Sequence, residues 1–372
     1  LLAQRDIDSY EAAKTYFRPK LTQLFDPFLM KDMDKAVARL CQAIEQKESI
    51  MVFGDYDVDG TTSVAMLTHF LQRQEVPVTS YIPERYAEGY GLSKQGIDVA
   101  KRENIRCMVA LDCGIKAVDL VEYATSLGID VIICDHHTPS DTLPNALAIL
   151  DPKRNDCAYP YKELCGCGVG FKLMQGIVQK QGGDLETLIA YLDFVSVAIA
   201  ADIVPITGEN RVLAFLGLQQ LNIAPRPGLE VLIRNKTGGQ LISDVVFGMA
   251  PRINAAGRMK HGLYAVELLL SNSAEEATAM AEAIEAFNTS RRSVEQEITQ
   301  EALAQVEANN EAENSATVVY APHWHKGVIG IVASRLIETY YRPTLVFTQA
   351  GEGVLAASAR SVRGFDVYAA IG

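Results

Sequence analysis

The stretch VIICDHHTP, Val131 to Pro139, decides the fold, because a run of apolar, β-branched residues stops abruptly at an aspartate followed by two imidazoles. Val131, Ile132, Ile133 and Cys134 have the pattern of a strand buried on both faces, the condition of strands in a parallel sheet. Asp135, His136 and His137 then sit at that strand's carboxyl end. In open α/β sheets this is the edge along which ligands bind. SIMVFGDYD, VTSYIP near Thr79, CMVALDCG near Val109 and ALAIL near Ala148 read as further strands. Asp34 to Lys47, Thr61 to Gln74, Ser93 to Glu103 (with Ser93 as N-cap) and Ala117 to Leu127 read as the helices among them. Such alternation predicts an α/β fold with a parallel sheet covered on both faces.

Downstream, Gly166 to Leu221 reads as mainly helical, interrupted by the turn ADIVP. The stretch from Ser271 to Asn310 is rich in Ala and Glu and free of Gly and Pro, so it predicts one long helix or a helix pair spacing two domains. After Asn314, the strand ATVVYA, a helix after GVIG and the strand TLVFT open a second, smaller α/β unit.

A chain of 372 residues exceeds one ordinary core, which implies two or three domains. Its apolar runs all break before about 18 residues, and LLAQRDIDSY lacks the order of a signal peptide, so a cytoplasmic location without membrane contact is expected. The absence of an initiator methionine and the ending AAIG suggest a piece of a longer chain. Seven cysteines between Cys41 and Cys167 fit reduced thiols better than a disulfide framework, and Cys165 and Cys167 lack the second pair that a zinc site needs. A net charge of −12 argues against nonspecific coating of nucleic acid but leaves room for a local basic groove. Arg226, Arg234, Lys236, Arg252, Arg258 and Lys260, set against only Glu230 and Asp244, form one basic stretch, which ordinary solvated surface also explains.

Three strands end in acids: Phe53 leads to Asp55, Asp57 and Asp59, Leu111 to Asp112, and Cys134 to Asp135 and His136. Asp202 follows the apolar run SVAIAA. Carboxylates gathered on one sheet edge repel one another unless cations lie among them, so a metal centre is the economical reading. Oxygen ligands with one or two imidazoles suit two Mn²⁺ or Mg²⁺ ions, and such a pair suits phosphoester hydrolysis. DYDVDG also matches the start of an EF-hand loop, but position twelve is Met66 instead of Glu and a strand precedes the motif.

GDYDVDG, LDCG, DHH and ADIVP resemble, in order and spacing, the four motifs of the DHH phosphoesterase superfamily. EGYGLS at Glu88 to Ser93, PRINAAGRM at Pro251 to Met259 and HWHKGVIGIVASRL at His323 to Leu336 further resemble the RecJ-type single-strand-specific 5′→3′ exonucleases of that superfamily. The resemblance implies an N-terminal segment over 1–33, a DHH catalytic domain over 34–225, a connecting region with the long helix over 226–313 and a partial DHHA1-like substrate-binding domain over 314–372. It implies Asp57, Asp59, Asp112, His136 and Asp202 as ligands of two metal ions, with Asp112 bridging. Asp55 then starts the motif from behind the ligands, His137 orients the water or stabilises the phosphate, and Asp135 orients an imidazole. The GGH motif that ends the family's C-terminal subdomain, and the oligonucleotide-binding fold beyond it, are not reached by Gly372.

Guanidinium groups bind a terminal phosphate bidentately, which makes Arg85, Arg258 and Arg360, with Ser358, candidate readers of a 5′ end; surface arginine is the competing explanation. Tyr90 could stack on a base or pack in the core. His323 and His325 flank Trp324 on the expected substrate-facing surface of the smaller domain. The resemblance thus implies a hydrolase that threads single-stranded DNA between its domains, in repair and recombination, with single-strand-binding protein and a helicase as partners. A small-substrate DHH phosphoesterase acting on nanoRNA, cyclic dinucleotides or pyrophosphate is the alternative. A non-catalytic replication scaffold is a third reading, which the retention of every motif ligand opposes.

Overall fold

The computed structural model describes residues 2–233 and 238–371, so Arg234 and Lys236 of the basic stretch lie outside the described residues. The chain divides into two units, one holding residues 1–257 and 261–284 and the other 258–260 and 285–372.

The first unit is built on a five-stranded parallel sheet in the order β2-β1-β3-β4-β5, with β1 at Ile50–Gly54, β2 at Val78–Tyr81, β3 at Cys107–Leu111, β4 at Asp130–Cys134 and β5 at Ala148–Leu150. The chain runs outward from β1 to β2 and then returns to the other side of β1 to begin β3. Strand order therefore reverses between β1 and β3, which makes a crevice at their carboxyl ends. Helices α1 (Tyr10–Phe17), α2 (Met33–Glu45), α3 (Val58–Gln72), α4 (Lys94–Arg102), α5 (Val118–Ser126), α6 (Gly166–Lys180), α7 (Leu192–Ala201) and α8 (Gly208–Ile223) follow in chain order.

Strand alternation sorts the sheet's two faces. Met51 and Phe53, Met108 and Ala110, and Val131 and Ile133 form one core with Ile97 and Ala100 of α4 and Val121 and Ala124 of α5. On the other face Gly170 of α6 comes within about a methyl group of Leu111 on β3 and Met66 on α3. Helix α3 starts at Val58, three residues before the predicted Thr61, because the Asp57 carboxylate caps it by accepting from the Gly60 amide. Ser93 caps α4 as expected, its hydroxyl accepting from Gly96 N.

Beyond α8 the chain forms α9 (Ala250–Met259), α10 (Leu263–Leu270) and a single uninterrupted helix of 35 residues, α11 (Ala274–Ala308). The second unit carries a three-stranded sheet, β6 (Thr317–Tyr320), β7 (Thr344–Gly351) and β8 (Val354–Arg360), with β6 and β7 parallel and β7 and β8 antiparallel. Helix α12 (Ile329–Thr339) packs Val332, Ala333 and Leu336 with Val319, Val346 and the α11 residues Ile298, Ala302 and Val306. The hairpin strand β8, whose VLAASAR lacks a strand-like apolar run, is an addition to the predicted elements. Among the described residues no helix is long and apolar enough to cross a membrane.

Candidate metal centre

The register of the first sheet aligns Gly54, Leu111 and Cys134 as direct partners across β1, β3 and β4, and Cys134 with Leu150 of β5. The next residue of each strand is an aspartate. Asp55, Asp112, Asp135 and Asp151 therefore form one row across the crevice, stitched by Asp112 N donating to Cys134 O and Asp135 N to Leu150 O, at 2.9 and 3.0 Å. All four are buried.

Helices bring the remaining groups. Asp59, in the first turn of α3, accepts from Gly166 N at 2.6 Å and Cys167 N at 2.7 Å, so both of its oxygens rest on the amino terminus of α6. Asp202 is the C-cap of α7. His136 Nε2 faces Asp112 Oδ1 at 3.2 Å, Asp202 Oδ2 at 3.5 Å and Asp59 Oδ2 at 3.7 Å. Three sets of groups have ligand atoms within 4.8 Å of one another: Asp55, Asp57 and Asp112; Asp59, His136 and Asp202; and Asp112, His136 and His137. The eight acids and imidazoles singled out around the expected centre are thus gathered in one place, apart from Asp135, which acts from behind.

Asp135 is fully engaged. Its Oδ1 accepts from the His136 and His137 amides and from His137 Nδ1 at 2.7 Å, and its Oδ2 from Ile115 N at 2.9 Å. Burial opposes its ionisation, but His137 and these amides outweigh burial and hold it below the usual carboxylate range. The same hydrogen bond holds His137 above the ordinary histidine value. Burial and the nearby charge of His137 instead bring His136 down to about 4, leaving a neutral ring with one nitrogen lone pair to offer.

The other carboxylates are frustrated. Burial, followed by Asp202 and Asp57, pushes Asp59 well above the usual range, and burial, Asp59 and Asp57 do the same to Asp112. Burial and Asp57 raise Asp55, and bring Asp202 up to about 6. Asp55 Oδ2, Asp112 Oδ1, Asp202 Oδ2 and both nitrogens of His136 are buried without a hydrogen-bond partner. Such groups are costly unless something binds them, and oxygens with an imidazole suit a hard divalent cation of the Mn²⁺ or Mg²⁺ kind. Asp112 also holds φ at +58°, a left-handed conformation that costs a non-glycine residue about 1–3 kcal/mol.

Arg85 lies over the Tyr56 ring at 3.7 Å and donates to Gly257 O. Tyr56 meets Tyr90 edge-on, Tyr90 meets His137 edge-on, and the Tyr90 hydroxyl lies 3.2 Å from Asp112 O and 3.4 Å from His137 Nε2. Tyr90 is nonetheless half exposed. In the second unit, Arg360 donates to the Ser358 and Ser334 hydroxyls beside Gly330 of α12, and Arg258 donates to Gly327 O. His323 and Trp324 both bond to Glu301, and His325 Nδ1 accepts from Gly327 N.

Two contributors escaped the sequence reading. Asp151 carries the same signal as its three neighbours, an apolar run ending in an acid, but the run is short; burial raises its carboxyl to about 7 and leaves Oδ2 unpartnered. The Gly166 and Cys167 amides have no sequence signal, since they meet Asp59 from more than a hundred residues away. Cys165 caps α6 and Cys167 faces Met66 sulfur, so neither thiol turns to the acids as a ligand.

The DHH family N-terminal domain matches residues 49–199, and the DHHA1 domain matches residues 313–372. The chain is 40% identical over 372 residues to the single-stranded-DNA-specific exonuclease RecJ of Bacillus subtilis, covering 99% of this chain and 46% of that protein. It is 36% identical to the RecJ of Dickeya dadantii, covering 100% of this chain and 67% of the relative. A crystal structure of exonuclease RecJ bound to manganese superposes with a TM-score of 0.82 at 32% identity, over 95% of this chain and 86% of that one. The chain thus spans about half to two thirds of the length of these curated relatives. On motif, domain pairing, identity and superposition together, it belongs to the RecJ family of DHH-domain proteins.

Proposed function

We propose that the chain is a metal-dependent phosphodiesterase that removes nucleotides from the 5′ end of single-stranded DNA, using two Mn²⁺ or Mg²⁺ ions. The observation that carries this reading is the cluster of buried carboxylates and imidazoles where the sheet reverses, in which Asp55, Asp112, Asp202 and His136 keep atoms without a hydrogen-bond partner. Asp57, Asp59, Asp112, His136 and Asp202 would hold the ions; Asp112 and His136 each belong to two of the three ligand sets, and of these the carboxylate, with two oxygens, is the group suited to serve both ions. When bound, the ions would supply Lewis acidity for activating a water and for neutralising charge on the phosphoryl group.

The protein's own groups divide the remaining work. Asp135 fixes His137 with its Nδ1 proton inward, leaving Nε2 to face Tyr90 and the site. The hydrogen bond to Asp135 raises the His137 pKa, which favours the protonated ring as a partner for a phosphate oxygen. The α6 amides fix the orientation of the Asp59 carboxylate ahead of any ion binding. Arg85, Arg258 and Arg360 with Ser358 would read the terminal phosphate, and Tyr90 would stack on a base. The names of the RecJ relatives support single-stranded DNA as the substrate. By the same analogy we place the protein in the cytoplasm, working with single-strand-binding protein and a helicase in repair and recombination.

The test is hydrolysis of a 5′-phosphorylated single strand, labelled separately at each end, with Mn²⁺, by the protein and by Asp112→Ala. Release of mononucleotides from the 5′ end alone, lost in the variant, is the expected result. An intact strand alongside cleaved dinucleotides or pyrophosphate would replace the nuclease reading with a small-substrate one.

A further inference from the structure

Beside the acid row lies a cavity of about 380 Å³, inside the roughly 300–1,000 Å³ range of small-ligand clefts. Its wall is apolar, formed by Leu92, Ile115, Ala117 and Leu120 with the Tyr90 ring, and Asp135 and His137 form its floor toward the metal centre. Resting on the proposed function, we infer that this cavity receives the base of the nucleotide adjoining the phosphate being cleaved.

Three observations select that occupant. First, the cavity is continuous with the candidate centre, because His137 belongs both to its lining and to the Asp112–His136–His137 set. A nucleotide whose phosphate reaches the acids carries its base to this wall. Second, the acid, imidazole and phenol of the lining are already engaged: the Tyr90 hydroxyl reaches Asp112 O and His137, Asp135 has both oxygens occupied, and Ile115 N donates to Asp135. The side chains of the wall itself, Leu92, Ile115, Ala117 and Leu120, offer a base apolar contact, which suits a sequence-tolerant site. Third, the exposed Lys116 stands at the rim without an ion pair among the described residues, a cation suited to the next phosphate.

The experiment compares two small esters and a set of strands. Thymidine 5′-(p-nitrophenyl) phosphate carries a base, and methyl p-nitrophenyl phosphate does not. The wild-type protein with Mn²⁺ is expected to prefer the thymidine ester by about tenfold in kcat/KM, and to cut a strand abasic at the critical nucleotide about tenfold more slowly than an intact strand. Ala117→Phe, which fills the cavity, should erase both differences by slowing only the base-bearing substrates. Leu120→Trp serves as a second filler should Ala117→Phe lose its cooperative thermal transition or its Mn²⁺ binding. Equal preference in wild type and fillers, with strands still cut, would overturn the base pocket alone. Intact strands with a thymidine-ester preference that the fillers abolish would keep the pocket and overturn the nuclease reading.

Discussion

Two buried polar clusters in the first unit are finished in opposite ways. Lys172, Glu209 and Tyr159 are almost wholly inaccessible, yet Lys172 Nζ donates to Phe25 O and to Glu209, whose carboxylate also accepts from Phe25 N and the Tyr159 hydroxyl. Every charge there has its counter-charge within the fold. The acid row is equally buried, but its carboxylates face one another and a neutral imidazole, and three of its four residues, Asp55, Asp112 and Asp151, keep orphaned atoms. A closed cluster fixes the N-terminal segment onto α6 and α8, whereas an open one stores a demand for cations. Burial of charge alone thus says little about function; what separates the two is whether the fold itself completes the hydrogen bonds.

This contrast can be broken most sharply at Asp112. Asp112→Asn should lower Mn²⁺-dependent hydrolysis by about a thousandfold or more, since the shared ligand is lost while Asn still tolerates the left-handed backbone. In the metal-free protein the same change should raise Tm by about 2–4 °C, because it relieves repulsion. A fall in Tm would mean that the row is held together without cations.

At the closed cluster the sign should invert. Lys172→Met leaves Glu209 buried without its cation and should cost about 3–5 kcal/mol in urea denaturation, with metal binding per folded molecule unchanged. If Lys172→Met proves as harmless as Asp112→Asn, the distinction between the clusters fails.

The pH dependence gives a smaller effect. Asp151 is protonated up to about 7 in the folded chain but only up to the ordinary carboxylate value when unfolded, so between them the folded state binds more protons. Its contribution to stability is complete below about pH 4 and is lost as pH rises through about 7. Metal-free stability should therefore decline over that window in calorimetry, and Asp151→Asn should flatten the decline. An unchanged slope in the variant would remove Asp151 from the row's electrostatics. The least effect is expected from Tyr90→Phe, which loses one hydroxyl and should reduce kcat/KM by about three- to tenfold.

How much of this was legible beforehand depended on range. Strands such as Met51 to Gly54 and Val131 to Cys134 announce themselves through local apolar runs, and the parallel α/β sheet follows from their alternation with helices. Gly60 disguised the start of α3, since a glycine there reads as loop until the Asp57 cap is seen. That acids would gather at strand ends was legible; their alignment in one row was not, because register is set by pairing between strands. Nor could adjacency alone separate the two imidazoles. His137 turns to Asp135, while His136 turns to Asp59, Asp112 and Asp202, a division made by the backbone after β4.

Gly166 carries a last consequence. A methyl group placed there would lie 2.6 Å from Asp112 Cβ and 2.8 Å from its Oδ1. A side chain at 166 would have to displace Asp112, so a substitution at either position is expected to act on the same site. A lesion at 166 would be inherited as a lesion of the metal centre, and descent could change one position only by renegotiating the other.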